Sequence, residues 1–193
     1  MNQQEFFTKI LKILEKLQIP YMISGSVGSM IYGEPRMTND MDIIVELETG
    51  KVRDLLANLS KDHYYYPSIE FIQEAIRKKK QFNIIHAEIG SKVDFIIRKD
   101  TEFAKKEFSR KNRVPFTENF SAFTASPEDI IISKMLYFRM NPSERHITDI
   151  VSILIISGDK MDFDYLNQWI EKSNIQDVWE QIEKKRKEMK QDK

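Results

Sequence analysis

The sequence predicts an α/β fold of the α+β type, a small mixed β-sheet flanked by helices and followed by a C-terminal helical lobe. Two observations support this prediction. Helical and strand patterns alternate through the first half of the chain, which is typical of a sheet covered by helices. Helical patterns then dominate the rest of the sequence. We therefore expect a core over residues 1–124 and a helical lobe over residues 125–193.

Four helices and four strands are predicted in the first part of the core. Apolar residues at helical spacing begin the chain, and Pro20 ends that helix. The second strand is a continuous apolar run, which is typical of a strand buried on both faces. The segment 61–67 fits either a strand or a loop. The predicted helices cover residues 3–18, 27–32, 51–59 and 68–79, and the predicted strands cover residues 21–23, 41–47, 82–86 and 92–98.

The strongest helix signal lies at the start of the second half. Ser126 is a preferred capping residue, Pro127 suits the first helical position, and two acids follow in the first turn. This helix is predicted to reach about Met140, and another to run from Asn141 to near Gly158. The remaining predictions are a helix and loop over 99–113, short strands over 114–116 and 120–124, and helices around Trp169 and Trp179.

Composition excludes several classes of protein. The 30 basic and 30 acidic residues balance, so net charge does not favour binding to nucleic acid or to a membrane. The absence of cysteine excludes disulfides and thiolate metal sites. No apolar run approaches the ~20 residues that span a bilayer, and the N-terminus does not resemble a cleavable signal. We expect a cytoplasmic protein without a membrane partner.

A pair of acids at the start of the second strand indicates chemistry. Asp40 and Asp42 are two positions apart, so their side chains share one face of a strand. Neighbouring carboxylates repel unless a cation joins them, and Mg²⁺ prefers such oxygen ligands together with substrate phosphates. Asp94 is a third acid, within an otherwise apolar strand. It either faces solvent or requires a partner or a metal.

A turn of small residues precedes this pair. Gly25 and Ser26 lie between a strand and a short helix, and thirteen residues separate Ser26 from Asp40. Such turns offer backbone N–H groups to phosphates. Arg36 and Thr38 follow in the loop before the acids. Arg36 either binds a phosphate bidentately or is a solvated loop arginine. A phosphate cradle beside a carboxylate pair suggests phosphoryl or nucleotidyl transfer.

These motifs resemble the nucleotidyltransferase superfamily founded on DNA polymerase β. Its pattern is an apolar residue, Gly, then Gly or Ser, a spacer and D-h-[DE]-h, where h is apolar. This sequence departs from the pattern at Ser24, where the family has an apolar residue. The motif R-x-T-x-D-x-D, here from Arg36 to Asp42, most resembles the bacterial abortive-infection-type, AbiEii-like branch of this superfamily.

The resemblance implies a nucleotidyltransferase fold and a reaction that moves a nucleoside monophosphate from a nucleoside triphosphate to a hydroxyl, releasing pyrophosphate, with two Mg²⁺ ions. It implies that Asp94 completes the metal site and helps to activate the hydroxyl. It also places Lys134 towards the nucleotide in a cleft between the lobes, with a surface lysine as the alternative. The implied catalytic residues are Asp40, Asp42, Asp94 and Lys134, and the implied nucleotide-binding residues are Gly25, Ser26, Arg36 and Thr38.

Two roles in the helical half follow from spacing. Lys134 is four residues after Ile130 and shares its helix face, and Asp149 is four residues after Arg145, which predicts a structural contact between them. The acceptor stays open among RNA 3′ ends, protein hydroxyls and small molecules, as does the choice of nucleotide. The alternative function is a nucleotide-binding or toxin–antitoxin component that acts through a cognate antitoxin or regulator without catalysis.

Overall fold

The computed structural model describes residues 1–191 and contains a seven-stranded mixed sheet with helices. The strands are β1 Tyr21–Ser24, β2 Asp40–Val45, β3 Tyr64–Tyr65, β4 Gln81–His86, β5 Lys92–Ile97, β6 Asn112–Thr117 and β7 Phe120–Thr124. The helices are α1 Gln3–Lys16, α2 Gly25–Tyr32, α3 Val52–Ala57, α4 Ile69–Arg77, α5 Glu102–Ser109, α6 Pro127–Met140, α7 Glu144–Ile156, α8 Phe163–Lys172 and α9 Gln176–Gln191. The predicted fold class is confirmed.

Strand order in the sheet is β3-β4-β5-β2-β1-β7-β6. The pairs β2–β5 and β1–β7 are parallel, and the other neighbours are antiparallel. The segment 61–67, which fitted either a strand or a loop, contains the short edge strand β3. The strand β2 is central, with β5 on one side and β1 on the other, so residues at its start can meet residues from both neighbours.

Burial along β2 corrects one prediction. The sequence predicted a strand buried on both faces, whereas buried and half-exposed residues alternate from Asp40 to Val45. Met41, Ile43 and Val45 are buried in the core, and the residues between them lie on the opposite, half-exposed face. Ile44 is apolar but belongs to this second face, which is why the run looked continuous. The strand also begins at Asp40 rather than at Met41, so both acids belong to it.

The chain forms two compact units. The first contains residues 1–27 and 37–124 and holds the sheet with α1, α3, α4 and α5. The second contains residues 28–36 and the chain from Ala125 onward. The return of residues 28–36 to the second unit was not predicted, because their sequence carries no signal of a distant partner. None of the helices described between residues 1 and 191 has the length and hydrophobicity of a membrane span.

Each unit has its own apolar core. In the first, Phe6, Ile10 and Leu14 of α1 are fully buried, together with Ile43 and Phe95 of the sheet. In the second, most of the buried apolar residues come from four helices, among them Ile131, Met135, Ile150, Leu166 and Ile182. Helical spacing of the apolar residues in α1 therefore predicted its buried face correctly.

The start of α6 confirms its predicted cap. The Ser126 hydroxyl accepts a hydrogen bond from the Asp129 backbone N–H at 3.2 Å and donates one to its carboxylate at 2.8 Å. The Tyr165 hydroxyl donates to the same carboxylate at 2.6 Å. Because these groups are buried, water cannot easily replace the hydroxyl of Ser126.

Replacing this cap should destabilise the protein measurably. We expect Ser126→Ala to lower the free energy of unfolding by about 1–2 kcal/mol, measured by urea denaturation, because a buried helix start loses its acceptor. Thr101→Ala is the matched control, since its hydroxyl caps the exposed start of α5. A loss for Ser126→Ala no larger than that of the control would contradict a role for burial.

Candidate functional site

Three carboxylates lie on the half-exposed face of the sheet. In the parallel pair β2–β5, Asp42 lies opposite Asp94, and Asp40 lies opposite Lys92. Since alternate residues of a strand share a face, Asp40 and Asp42 project together as predicted. Neighbouring strands are about 4.8 Å apart, so the side chain of Asp94 is a direct neighbour of Asp42. The strand register thus assembles three acids from two segments.

A lysine that was not predicted as a site residue, Lys92, lies among these acids. The Lys92 Nζ is 2.8 Å from Asp94 Oδ2 and 3.4 Å from Asp40 Oδ2. The hydrogen bond to Asp94 and the nearby negative charges raise the pKa of Lys92 despite partial burial. A signal for it was present in the sequence, because Lys92 precedes Asp94 by two residues and therefore shares its strand face.

The environment of Asp94 decides between the two interpretations of its sequence. Its side chain is buried, and its carboxylate accepts a hydrogen bond from Lys92. The acid is therefore a paired group rather than a solvent-facing one. Polar residues continue the row across the sheet, because Ser24 of β1 lies opposite Asp42 and Asn83 of β4 lies opposite Asp94.

Gly25 is required by a close approach of Asp42. Its φ of +59° lies in the left-handed region, which favours glycine. A Cβ at this position would overlap the Asp42 carboxylate and lie 2.9 Å from the Cβ of Asp42. From the sequence, this glycine was predicted to bind a phosphate. In the structure the Asp42 carboxylate lies against it, so the glycine turn and the acid pair pack directly against each other.

Ser26 and Thr38 belong to the segments that flank the Gly25 turn and the acid pair in the sequence. Ser26 is the second residue of α2. The Thr38 hydroxyl is 3.3 Å from the Asp40 carbonyl oxygen, to which it donates. The Thr38 carbonyl accepts a hydrogen bond from Gln3 at 2.9 Å. These contacts fix the loop before β2 on the first unit.

The donor set suits a hard divalent cation, with one obstacle. Carboxylate oxygens from Asp40, Asp42 and Asp94 are the ligands that Mg²⁺ prefers. Within residues 1–191, however, no three Asp, Glu or His side chains converge on a single point as metal ligands do. The Lys92 ammonium contacts two of the three acids. The three carboxylates are suitable ligands for the ion and lie on one face of the sheet. Lys92 would have to move before all three could bind it.

The second unit contains a separate buried ion cluster. Arg36 binds Asp149 bidentately, with Nε at 2.8 Å from Oδ1 and Nη2 at 2.9 Å from Oδ2. The Lys134 Nζ lies 2.8 Å from the same Oδ2. Burial acts to raise the pKa of Asp149, but the Arg36 hydrogen bonds and the Lys134 charge outweigh it and hold the pKa below its usual range.

This cluster changes three interpretations of the sequence. Arg36 makes a bidentate contact as proposed, but its partner in this structure is a carboxylate rather than a phosphate. Lys134 is only 5% exposed, so it is not a surface lysine, and it shares a buried face with Ile130 as predicted. The predicted partner of Asp149 was wrong: Arg145 is exposed, and the carboxylate binds Arg36 and Lys134 instead.

Comparisons with known proteins identify the family and the fold. The sequence profile of a family described as "Nucleotidyltransferase of unknown function (DUF6036)" matches residues 3–192. A search of curated proteins gave no match.

Among solved structures, ANT(2″)-Ia in complex with adenylyl-2″-tobramycin has a TM-score of 0.59 at 12% identity, covering 93% of this chain and 99% of that one. An antigenic nucleotidyltransferase-like protein from Paracoccidioides brasiliensis has a TM-score of 0.54 at 16% identity, covering 79% and 75%. Lincomycin-bound LnuA, a lincosamide antibiotic adenylyltransferase, has a TM-score of 0.53 at 14% identity, covering 81% and 98%. At these identities, the likeness concerns the fold.

Gly25→Ala should disturb Asp42 beyond the cost of its backbone conformation. Gly90→Ala is a matched control, because Gly90 has a similar φ of +65° but open space around it. We expect Gly90→Ala to cost about 1 kcal/mol of unfolding free energy, and Gly25→Ala to cost at least about 1 kcal/mol more through overlap with the carboxylate. Urea denaturation measures both, and equal losses would show that the close approach carries no energy.

The ion cluster predicts a pH dependence of stability. Because the pKa of Asp149 is lower in the folded state, its contribution is complete above the unfolded aspartate value of about 4 and is lost as the pH falls through the folded value. Asp149→Asn should lower the unfolding free energy at pH 7 by about 3–5 kcal/mol, since two cations lose their partner.

The same variant should also show a flatter loss of stability than the wild type as the pH falls from 5 towards 2. Urea denaturation across this pH range measures the slope. Asp159→Asn, at an exposed acid of the same unit, is the control. A variant whose slope matches that of the wild type would contradict the assignment of the pKa shift to Asp149.

Proposed function

The chain belongs to this nucleotidyltransferase family, and we propose that it transfers a nucleoside monophosphate from a nucleoside triphosphate to a hydroxyl acceptor, releasing pyrophosphate, with Mg²⁺ as cofactor. The observation that carries the proposal is the meeting of Asp40, Asp42 and Asp94 on one half-exposed sheet face. The Gly25 turn packs against Asp42 and starts a helix, so the backbone groups that we propose for phosphate lie next to the oxygens that we propose for the metal.

The proposed roles follow the position of each residue in the first unit. Asp40 and Asp42 would hold Mg²⁺ and through it the triphosphate, and Asp94 would serve the acceptor side. The backbone of Gly25 and Ser26 would receive phosphate oxygens. When bound, Mg²⁺ neutralises phosphate charge and favours in-line displacement.

The proposed reaction balances around the α-phosphorus. The acceptor oxygen forms a bond to that phosphorus, and the bond to the bridging oxygen of the β-phosphate breaks. Pyrophosphate leaves with the electron pair of that bond. In this proposal Asp94 acts as the general base and receives the proton of the acceptor hydroxyl. Lys134 and Arg36 would act on the nucleotide, as the family resemblance implies, only after exchanging a contact with Asp149 for a phosphate.

The acceptor is a hydroxyl of RNA, protein or a small molecule. Two of the similar structures contain antibiotics: ANT(2″)-Ia is in complex with adenylyl-2″-tobramycin, an aminoglycoside derivative, and LnuA binds the lincosamide lincomycin. These two antibiotic classes therefore belong in an acceptor screen beside total RNA and cell lysate. Labelled ATP, CTP, GTP and UTP would be tested separately, because the choice of base depends on contacts outside the carboxylate face.

A second candidate function is a nucleotide-binding component that acts through a partner, such as an antitoxin, without catalysis. The specific observation that favours it is Lys92, whose ammonium contacts two of the three proposed metal ligands. A protein that keeps this contact permanently would lack a complete metal site. Detection of Mg²⁺-dependent pyrophosphate release in the screen excludes this candidate.

Two variants separate nucleotide binding from turnover. We expect Asp42→Asn to abolish Mg²⁺-dependent nucleotide binding in calorimetry, because one metal ligand loses its charge. We expect Asp94→Ala to retain most of the affinity and to lose about 10²–10⁴ in transfer rate, because the hydroxyl loses its base. Asp54→Asn, at an exposed acid of α3, is the control for both assays. Wild-type transfer by Asp94→Ala would refute the three-carboxylate mechanism.

A further inference from the structure

Lys92 forms ion pairs with two of the three proposed metal ligands. Its ammonium lies between a buried acid and a half-exposed one, at 2.8 Å from Asp94 and 3.4 Å from Asp40. We propose that Lys92 is a positioning residue that occupies part of the metal site in the metal-free protein and yields that place to the divalent cation. This inference rests on the proposed function, because it assumes that the three acids bind Mg²⁺.

The charge balance of the face supports this exchange. Asp40, Asp42 and Asp94 carry three formal negative charges, and Lys92 pairs with two of these acids through a single positive charge. Like charges on neighbouring strands are destabilising. The ammonium therefore reduces the repulsion without removing it. A divalent cation in the place of the ammonium brings two positive charges instead of one, which gives the metal an advantage over the lysine.

The burial of the partners decides which group can move. The Asp94 side chain is 11% exposed, and the Lys92 side chain is 34% exposed. A buried carboxylate without a partner is costly, so Asp94 requires a cation at all times. Lys92 has a flexible stem and access to solvent, so its ammonium can turn away when another cation takes over Asp94. The exchange would leave the acid paired in both states.

The same displacement gives Lys92 a second role. Its Cα lies opposite that of Asp40 on the neighbouring strand, so its displaced ammonium stays near the place proposed for the triphosphate. Lysine is a flexible point charge that suits phosphate oxygens. The residue would pair with a carboxylate before loading and with a phosphate afterwards. A purely structural ion pair would instead keep its geometry whether or not metal is present.

The test compares wild type, Lys92→Met and Lys92→Arg. Methionine keeps an unbranched stem of similar length without the charge, and arginine keeps the charge. The matched control is Lys79→Met, which removes a surface ion pair with Asp100. Mn²⁺ binding is followed by electron paramagnetic resonance. The melting temperature is measured in EDTA and in MgCl₂, and pyrophosphate release by the wild type is assayed in parallel.

We expect Lys92→Met to bind Mn²⁺ about three- to tenfold more tightly than the wild type, because the competing ammonium is gone. Its melting temperature should be lower than that of the wild type in EDTA and should recover in MgCl₂. Lys92→Arg should stay near the wild type in both measurements, and Lys79→Met should show no dependence on metal.

The outcomes separate this inference from the proposed function. If the wild type releases pyrophosphate but Lys92→Met binds Mn²⁺ no more tightly, the inference is overturned and the proposed function stands. A melting temperature lowered equally in EDTA and in MgCl₂ would likewise assign Lys92 a purely structural role. If the wild type neither binds Mn²⁺ nor releases pyrophosphate with any acceptor in the screen, both fail.

Discussion

The parallel pairing of β2 with β5 brings carboxylates together on one face of the sheet. Asp42 and Asp94 lie opposite each other, and without compensation their charges would oppose the pairing that the core requires. On the other face, Ile43 and Phe95 are fully buried opposite one another. Burial of these side chains favours the register, and a cation is needed on the half-exposed face to make it tolerable. Lys92 supplies that cation from the chain itself, since its ammonium contacts Asp94 and Asp40.

The second unit compensates a buried acid in a different way. Asp149 is held by two cations, one of which is the guanidinium of Arg36 in a bidentate contact. These two cations lower the pKa of Asp149 more than burial raises it. On the sheet face, by contrast, the single ammonium of Lys92 is shared between two acids. An acid with surplus positive charge is a stable structural centre. A group of acids with too little positive charge is a site that favours an additional cation, which is why the proposed function belongs to the sheet face.

Features that depend only on residues close together in the sequence were predicted correctly. The shared face of Asp40 and Asp42, the cap at Ser126 and the buried face of α1 each follow from backbone periodicity or from a contact within four residues. The prediction that β2 is buried on both faces was wrong because of Ile44, since an apolar residue on a half-exposed face cannot be distinguished by pattern from one in the core. The turn at Gly25 was predicted to bind a phosphate, but the group that lies against Gly25 in the structure is the Asp42 side chain.

The sequence by itself determined the mixed fold, the position of the acid pair and the turn of small residues before it, since all three depend on neighbouring positions along the backbone. The tertiary structure alone decided which charges meet. Arg36 and Asp149 are 113 residues apart, and Lys92 reaches Asp40 only because the register of β2 and β5 aligns them. Register and helix packing result from burying apolar side chains over the whole unit, and no local pattern in the sequence encodes them.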